Sequence, residues 1–171
     1  MRTFLLLFVF PALCALAHSH AEMPASYQLI TEIPIGGEGG WDILNIDAAA
    51  RRLYLSHATK VVVVDLEKNA IVGEIADTPG VHAFAPVPEL QRGFSSNGKE
   101  NKSSVVDLKT LKTISKIETG ENPDAIAYDP KRGEIYVFNH TGKSATVIDA
   151  KTEKVVVTIP LGGSPNFQQS M

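Results

Sequence analysis

The chain has 171 residues, of which 44% are hydrophobic and 7% aromatic, and its formal charge is −3. That length is enough for one core of reasonable size. The faintly acidic, evenly spread charge excludes the basic patch or stripe of a nucleic-acid footprint, and a single cysteine excludes a disulfide framework.

The first element is a leader. Arg2 is followed by the apolar run Phe4–Phe10 and then by small residues. This reads as a secretory signal peptide over 1–21, with cleavage after Ala17 or Ala21. The apolar run is too short for a good membrane span, so none is expected after cleavage. Cys14 lies inside the leader, and Leu13 before it fits a lipoprotein cleavage site poorly. Cleavage removes Arg2 and no acid, which moves the formal charge from −3 to −4. The mature chain then has no thiol chemistry, although its destination, the periplasm or the exterior, is oxidising.

Residues 22–26 read as a linker, and 27–35 alternate well enough for a strand. From Gly36 onward the sequence repeats. Asp65, Asp107 and Asp149 lie 42 and 42 residues apart, each after a β-branched run. Tyr54, Phe94 and Tyr136 lie 40 and 42 apart, and Asp42, His82 and Asp124 keep the same rhythm. A fixed period near 42 residues, built from short strands, predicts an all-β fold, the β-propeller, with one four-stranded blade per repeat. Residues 22–171 thus divide into units 36–77, 78–119 and 120–161 and a stub, 162–171. Gly36–Gly40 resembles a phosphate loop superficially, but such loops open a helix, and here Trp41-Asp42-Ile43 leads into a strand. The glycines are read as an inter-blade connection needing positive φ, and Trp41 as packing between blades.

Unit two is the least regular: Pro86 and Pro88 interrupt the end of its first strand, and 97–103 read as a longer polar loop. Unit three shows the plan most clearly, with strands at 124–129, 134–139, 144–149 and 154–159. Its Tyr136-Val137-Phe138-Asn139 resembles the Tyr-Val-Thr-Asn tetrapeptide of the YVTN propeller repeat. Tyr54–His57 and Phe94–Asn97 are degenerate copies, and 147–152 is also typical of these repeats. From Tyr27 to about Phe167 the chain is similar to the YncE-like secreted propellers of bacteria. The resemblance implies a periplasmic or secreted ring of about seven blades, within the range of known propellers, usually without an assigned activity. Some relatives are described as binding DNA, which this acidic chain does not support. Three units fall short of a closed ring, so the sequence is expected to be a piece of a longer propeller. Its open blade edges invite self-association.

Asp65, Asp107 and Asp149 end the third strand of each unit. Their short carboxylates are expected to accept backbone N–H bonds in the next turn, a structural role. Asp42, His82, Asp124 and Asn166 share one position, at the start of each innermost strand. Those strands line the channel of a propeller, so these four are candidates for a ligand site at its mouth, for a cation or polar ligand. His57, His82 and His140, the histidines left after cleavage at Ala21, lack the tight local spacing of structural zinc. No metal and no cofactor is expected, and no nucleophile motif is present. The expected function is a binding or scaffold module of the cell envelope whose partner is an unknown small molecule or protein. The alternative is a fragment of a propeller enzyme, lactonase-like or quinoprotein-like, with a metal at the channel mouth; it rests on fold analogy.

Overall fold

The computed structural model describes residues 28–165. The leader read at 1–21 and Asn166 lie outside them. The first blade is β1 (Trp41–Asp47), β2 (Arg52–His57), β3 (Lys60–Asp65) and β4 (Ala70–Ile75). The second is β5 (Val81–Val87), β6 (Arg92–Asn97), β7 (Lys102–Asp107) and β8 (Lys112–Glu118). The third is β9 (Pro123–Asp129), β10 (Glu134–Asn139), β11 (Ser144–Asp149) and β12 (Lys154–Pro160). Each blade is an antiparallel meander in sequence order. A 3-10 turn, Pro88–Leu90, is the one helical element among the described residues.

The inner strands pack side by side, β1 on β5 and β5 on β9, so the blades follow one another around an axis without closing a ring. Apolar side chains fill the two junctions. Tyr54, Val61, Val63 and Ile75 of blade one meet Phe84, Val106 and Leu108 of blade two. Phe94, Val105 and Ile117 of blade two meet Ile126, Ile135 and Ile148 of blade three. Blade two is packed on both faces, and the third strand of every blade is buried through its middle, at Val61 to Val64, Ser103 to Val106 and Ser144 to Ile148. A strand covered on both sides loses the polar–apolar alternation of a half-exposed one.

Two irregularities recur in every blade. One extra residue bulges from the first strand near its start, between Trp41 and Leu44, Val81 and Ala83, and Pro123 and Ile126. A second shift lies between strands three and four. Bulges bend a strand and re-aim its side chains.

Three sequence expectations change. No strand forms over 28–35. Leu29 and Ile30 stand exposed, and an extended segment without a ladder partner leaves its backbone groups to water. Unit two has no long loop at 97–103: Asn97 ends β6 and Lys102 begins β7, which leaves a four-residue turn like that of blade three. Ser103, which read as loop, is a buried residue of β7, the strand that is buried through its middle in every blade. Pro86 lies within β5, where its partner is Gly93. Third, Trp41 does not pack between blades. It stacks on His57 of its own blade, with ring centroids 3.8 Å apart and planes 11° from parallel, and remains half exposed.

Candidate functional site

The bulges carry the first three residues of the candidate site. Asp42, His82 and Asp124 each sit in the bulged segment of an inner strand, one from each blade. The inner strands adjoin, so residues 40 and 42 positions apart meet. His82 Nδ1 lies 2.7 Å from Asp42 Oδ2 and 3.8 Å from Asp124 Oδ1. A carboxylate can only accept, so the proton sits on Nδ1. Asp42 Oδ1 accepts the Ile43 N–H at 2.9 Å, which fixes the carboxylate in turn. All three side chains are about one-third exposed.

Several neighbours that hold this cluster were not singled out in the sequence. Ser96 is fully buried. Its hydroxyl accepts the Ala83 N–H at 3.0 Å and donates to the Asp124 carbonyl, bracing the bulge of blade two against that of blade three. Gly98 has no room for a side chain: a Cβ there would stand 2.7 Å from His82 Nε2 and 2.6 Å from Asn122 Oδ1. Serine and glycine in strand-end and turn positions carry no sequence signal of a site, because only the fold brings them beside His82.

Further along the same strands, Ile43, Leu44, Ala85, Pro86, Ile126 and Tyr128 line a cleft of about 430 Å³. Its far end holds Tyr128, whose hydroxyl donates to Glu89. Partial burial and that carboxylate push the phenol up to about 12. The arrangement is an acceptor-rich rim of two carboxylates over an apolar wall. Among the described residues no group of three His, Cys, Asp or Glu is placed to hold a metal ion.

Asp65, Asp107 and Asp149 lie elsewhere, as the last residues of β3, β7 and β11. Asp65 Oδ1 accepts the N–H groups of Glu67 and Lys68, both at 2.9 Å. Asp107 Oδ1 accepts those of Lys109 at 3.0 Å and Thr110 at 2.8 Å. Asp149 Oδ1 accepts those of Lys151 at 3.1 Å and Thr152 at 2.7 Å. These bonds hold all three carboxyls below the usual carboxylate range, because donors aimed at the charged form favour it. His140 sits half-buried in the turn after β10.

The remaining histidine is buried. His57 is 1% exposed, and neither ring nitrogen has a hydrogen-bond partner. Its counterparts Asn97 and Asn139 bond to Ser104 and Thr146 on the next strand. In blade one that neighbour is Val62, so the imidazole finds only the face of Trp41. Gly36, Gly37 and Gly39 do adopt positive φ, and Gly37 lies where a Cβ would be 2.9 Å from His57 Cε1.

The family model of the YncE-like β-propellers matches residues 39–170. No curated protein matches. Among solved structures, hydrazine synthase of Kuenenia stuttgartiensis is similar, with a TM-score of 0.60 and 25% identity over 63% of this chain and 32% of that one. Apo AztD of Citrobacter koseri aligns with a TM-score of 0.55 and 16% identity, over 67% of this chain and 34% of that one. The dihydro-heme d1 dehydrogenase NirN in complex with DHE aligns with a TM-score of 0.55 and 16% identity, over 65% of this chain and 24% of that one. The chain therefore spans about a third or less of the length of these structures, and the 16% likenesses show the fold alone.

Proposed function

This chain belongs to the YncE-like β-propeller family, and on that premise we propose that it is a binding module of the cell envelope, without catalysis of its own. The channel mouth at Asp42, His82 and Asp124 takes an organic cation with an apolar body. The observation that carries this reading is the meeting of three side chains from three blades, with His82 Nδ1 2.7 Å from Asp42 and 3.8 Å from Asp124. Two carboxylates against one imidazole leave the rim net negative whether or not His82 is charged. The apolar cleft along the same strands suits a hydrocarbon body. The envelope location is supported by the leader read at 1–21.

One observation favours a second, hydrolytic reading: an imidazole oriented by a carboxylate is how a general base is held. A single experiment separates the two. Titration of the full chain with hexylamine, followed by calorimetry, should show saturable binding. Asp124→Asn should weaken that binding about twofold to fivefold, as expected for a charge pair one-third exposed to solvent. Hexanol binding as well as hexylamine would sink the cationic reading. Hydrolysis of a lactone or ester substrate by the chain, abolished in His82→Gln, would favour the enzyme instead.

A further inference from the structure

The two blade junctions are built from equivalent positions, and one of them lacks a part. At the junction of blades two and three, Arg92 Nε lies 3.3 Å from Glu153 Oε1, and the Ser115 hydroxyl donates to Glu153 Oε2 at 3.0 Å. The Arg92 guanidinium is also 3.5 Å from Asp107. At the junction of blades one and two, the same three places hold Arg52, Leu111 and Gly73. Leu111 and Glu153 share a left-handed backbone, with φ of 57° and 58°, so their side chains leave the chain in the same way. Leu111 covers Gly73, where a Cβ would meet its Cδ1 at 2.5 Å. Leu111 then offers the arginine no carboxylate; Asp47 lies across from it on β1 and forms no ion pair with it. Arg52 Nη1 donates to the Leu108 carbonyl at 2.8 Å, and among the described residues it makes no ion pair.

A cleft of about 270 Å³ opens beside Arg52. Arg52 and Lys109 bring positive charge to it, and Asp47 brings the opposing one. Asp47 Oδ1 is engaged by the Ala50 N–H at 2.9 Å. The cleft also has a donor with nothing to bond. Tyr54 is 1% exposed and its hydroxyl has no hydrogen-bond partner. Burial raises its pKa, and the adjacent Arg52 guanidinium opposes that rise, by hydrogen bonding first and then by charge. Arginine can only donate, so the hydroxyl proton itself still has no acceptor. The counterpart of Tyr54 at the other junction is Phe94, which carries no hydroxyl. Pro88 and Leu108 supply apolar wall.

We infer that this cleft binds a small monocarboxylate, whose carboxyl group pairs with Arg52 as the Glu153 carboxylate pairs with Arg92, with the Tyr54 hydroxyl and the Lys109 ammonium as further donors. A buried hydroxyl proton without an acceptor is costly, and one bound carboxylate can accept from it while pairing with the Arg52 guanidinium. The apolar wall favours a short alkyl tail. The cleft lies at the Asp47 end of β1, away from Asp42, so it is separate from the channel-mouth cluster.

Butanoate is the probe, titrated into the full chain while the amide signals of Ala50 and Lys109 are followed by NMR, with butylamine as the control. Saturable shifts with butanoate and none with butylamine are expected. Tyr54→Phe should weaken binding about threefold to tenfold, the loss of one hydrogen bond. Leu111→Glu should supply the missing carboxylate from within and lose butanoate binding at least about tenfold. An amide spectrum as dispersed as the parent's shows that the lost binding is not a folding defect, and Leu111→Gln, without the charge, should keep binding. Three outcomes would overturn the inference: no saturable shift at the highest soluble butanoate concentration, equal shifts with butylamine, or unchanged binding in Leu111→Glu.

Discussion

Truncating the second-strand aromatic of each blade to alanine should cost three different amounts, although the three residues occupy one repeat position. Phe94 is fully buried between blades two and three, among Val105, Ile117 and Ile126. Exposing a buried Phe costs about 2–3 kcal/mol in transfer, and the cavity left in a packed junction brings Phe→Ala to about 3–5 kcal/mol. Tyr54 is equally buried between blades one and two, but its truncation also removes a hydroxyl that has no partner. Its cost should be about 1 kcal/mol lower for that reason. Tyr136 is half-buried, and its hydroxyl bonds to Glu134 at 2.6 Å near the surface. Tyr136→Ala should cost no more than about 1 kcal/mol. Urea unfolding of the three variants at one protein concentration gives the comparison, provided the m-value stays constant. If Tyr136→Ala cost as much as Phe94→Ala, burial between blades would not be what sets the cost. A Tyr136 cost that grows with protein concentration would instead identify self-association through the third blade.

Gly93→Ala should destabilise by about 1–3 kcal/mol through overpacking, because a Cβ there would lie 2.2 Å from Phe84 Cζ and 3.0 Å from Leu108 Cδ2. The equivalent pair in blade three is Ile135 with Ile126, so Gly93→Ala with Phe84→Leu should regain part of the loss in a urea titration. Acid should weaken the turns. Asp65, Asp107 and Asp149 are held below their ordinary value of 3.8 when folded, so the unfolded chain takes up protons first as the pH falls. Their contribution is present above about pH 4 and is lost as the pH drops through the lower folded values. Urea midpoints measured from about pH 6 to about pH 2 should fall less steeply for Asp107→Asn than for the parent. An unchanged slope would refute the assignment.

Much of the architecture was legible because it is periodic. The 42-residue spacing of Asp65, Asp107 and Asp149 places a turn and its carboxylate in every unit, and the strands of unit three fall at or within one residue of their places in the sequence reading. Alternation and turn chemistry are local, so they can be read from a few neighbouring residues. The misreadings share one cause. Ser103 looks like a loop residue alone and is a buried strand residue because β7 runs between β6 and β8 in the middle of its sheet and packs against neighbouring blades. Trp41 looks like an inter-blade plug and stacks on His57 because Val62 leaves that ring without a polar partner.

The sequence by itself determined the repeat, the blade boundaries, the turn aspartates and the equivalence of Asp42, His82 and Asp124. Only the tertiary structure decided that these three meet, that Ser96 and Gly98 hold His82 in place, and that Arg52 lacks the carboxylate Arg92 has. The physical reason is range. A strand or turn is set by interactions among adjacent residues, whereas the charge and packing around a side chain are set by neighbours some 40 positions away, and one period of a repeat does not reveal which copy of a position has been left without its partner.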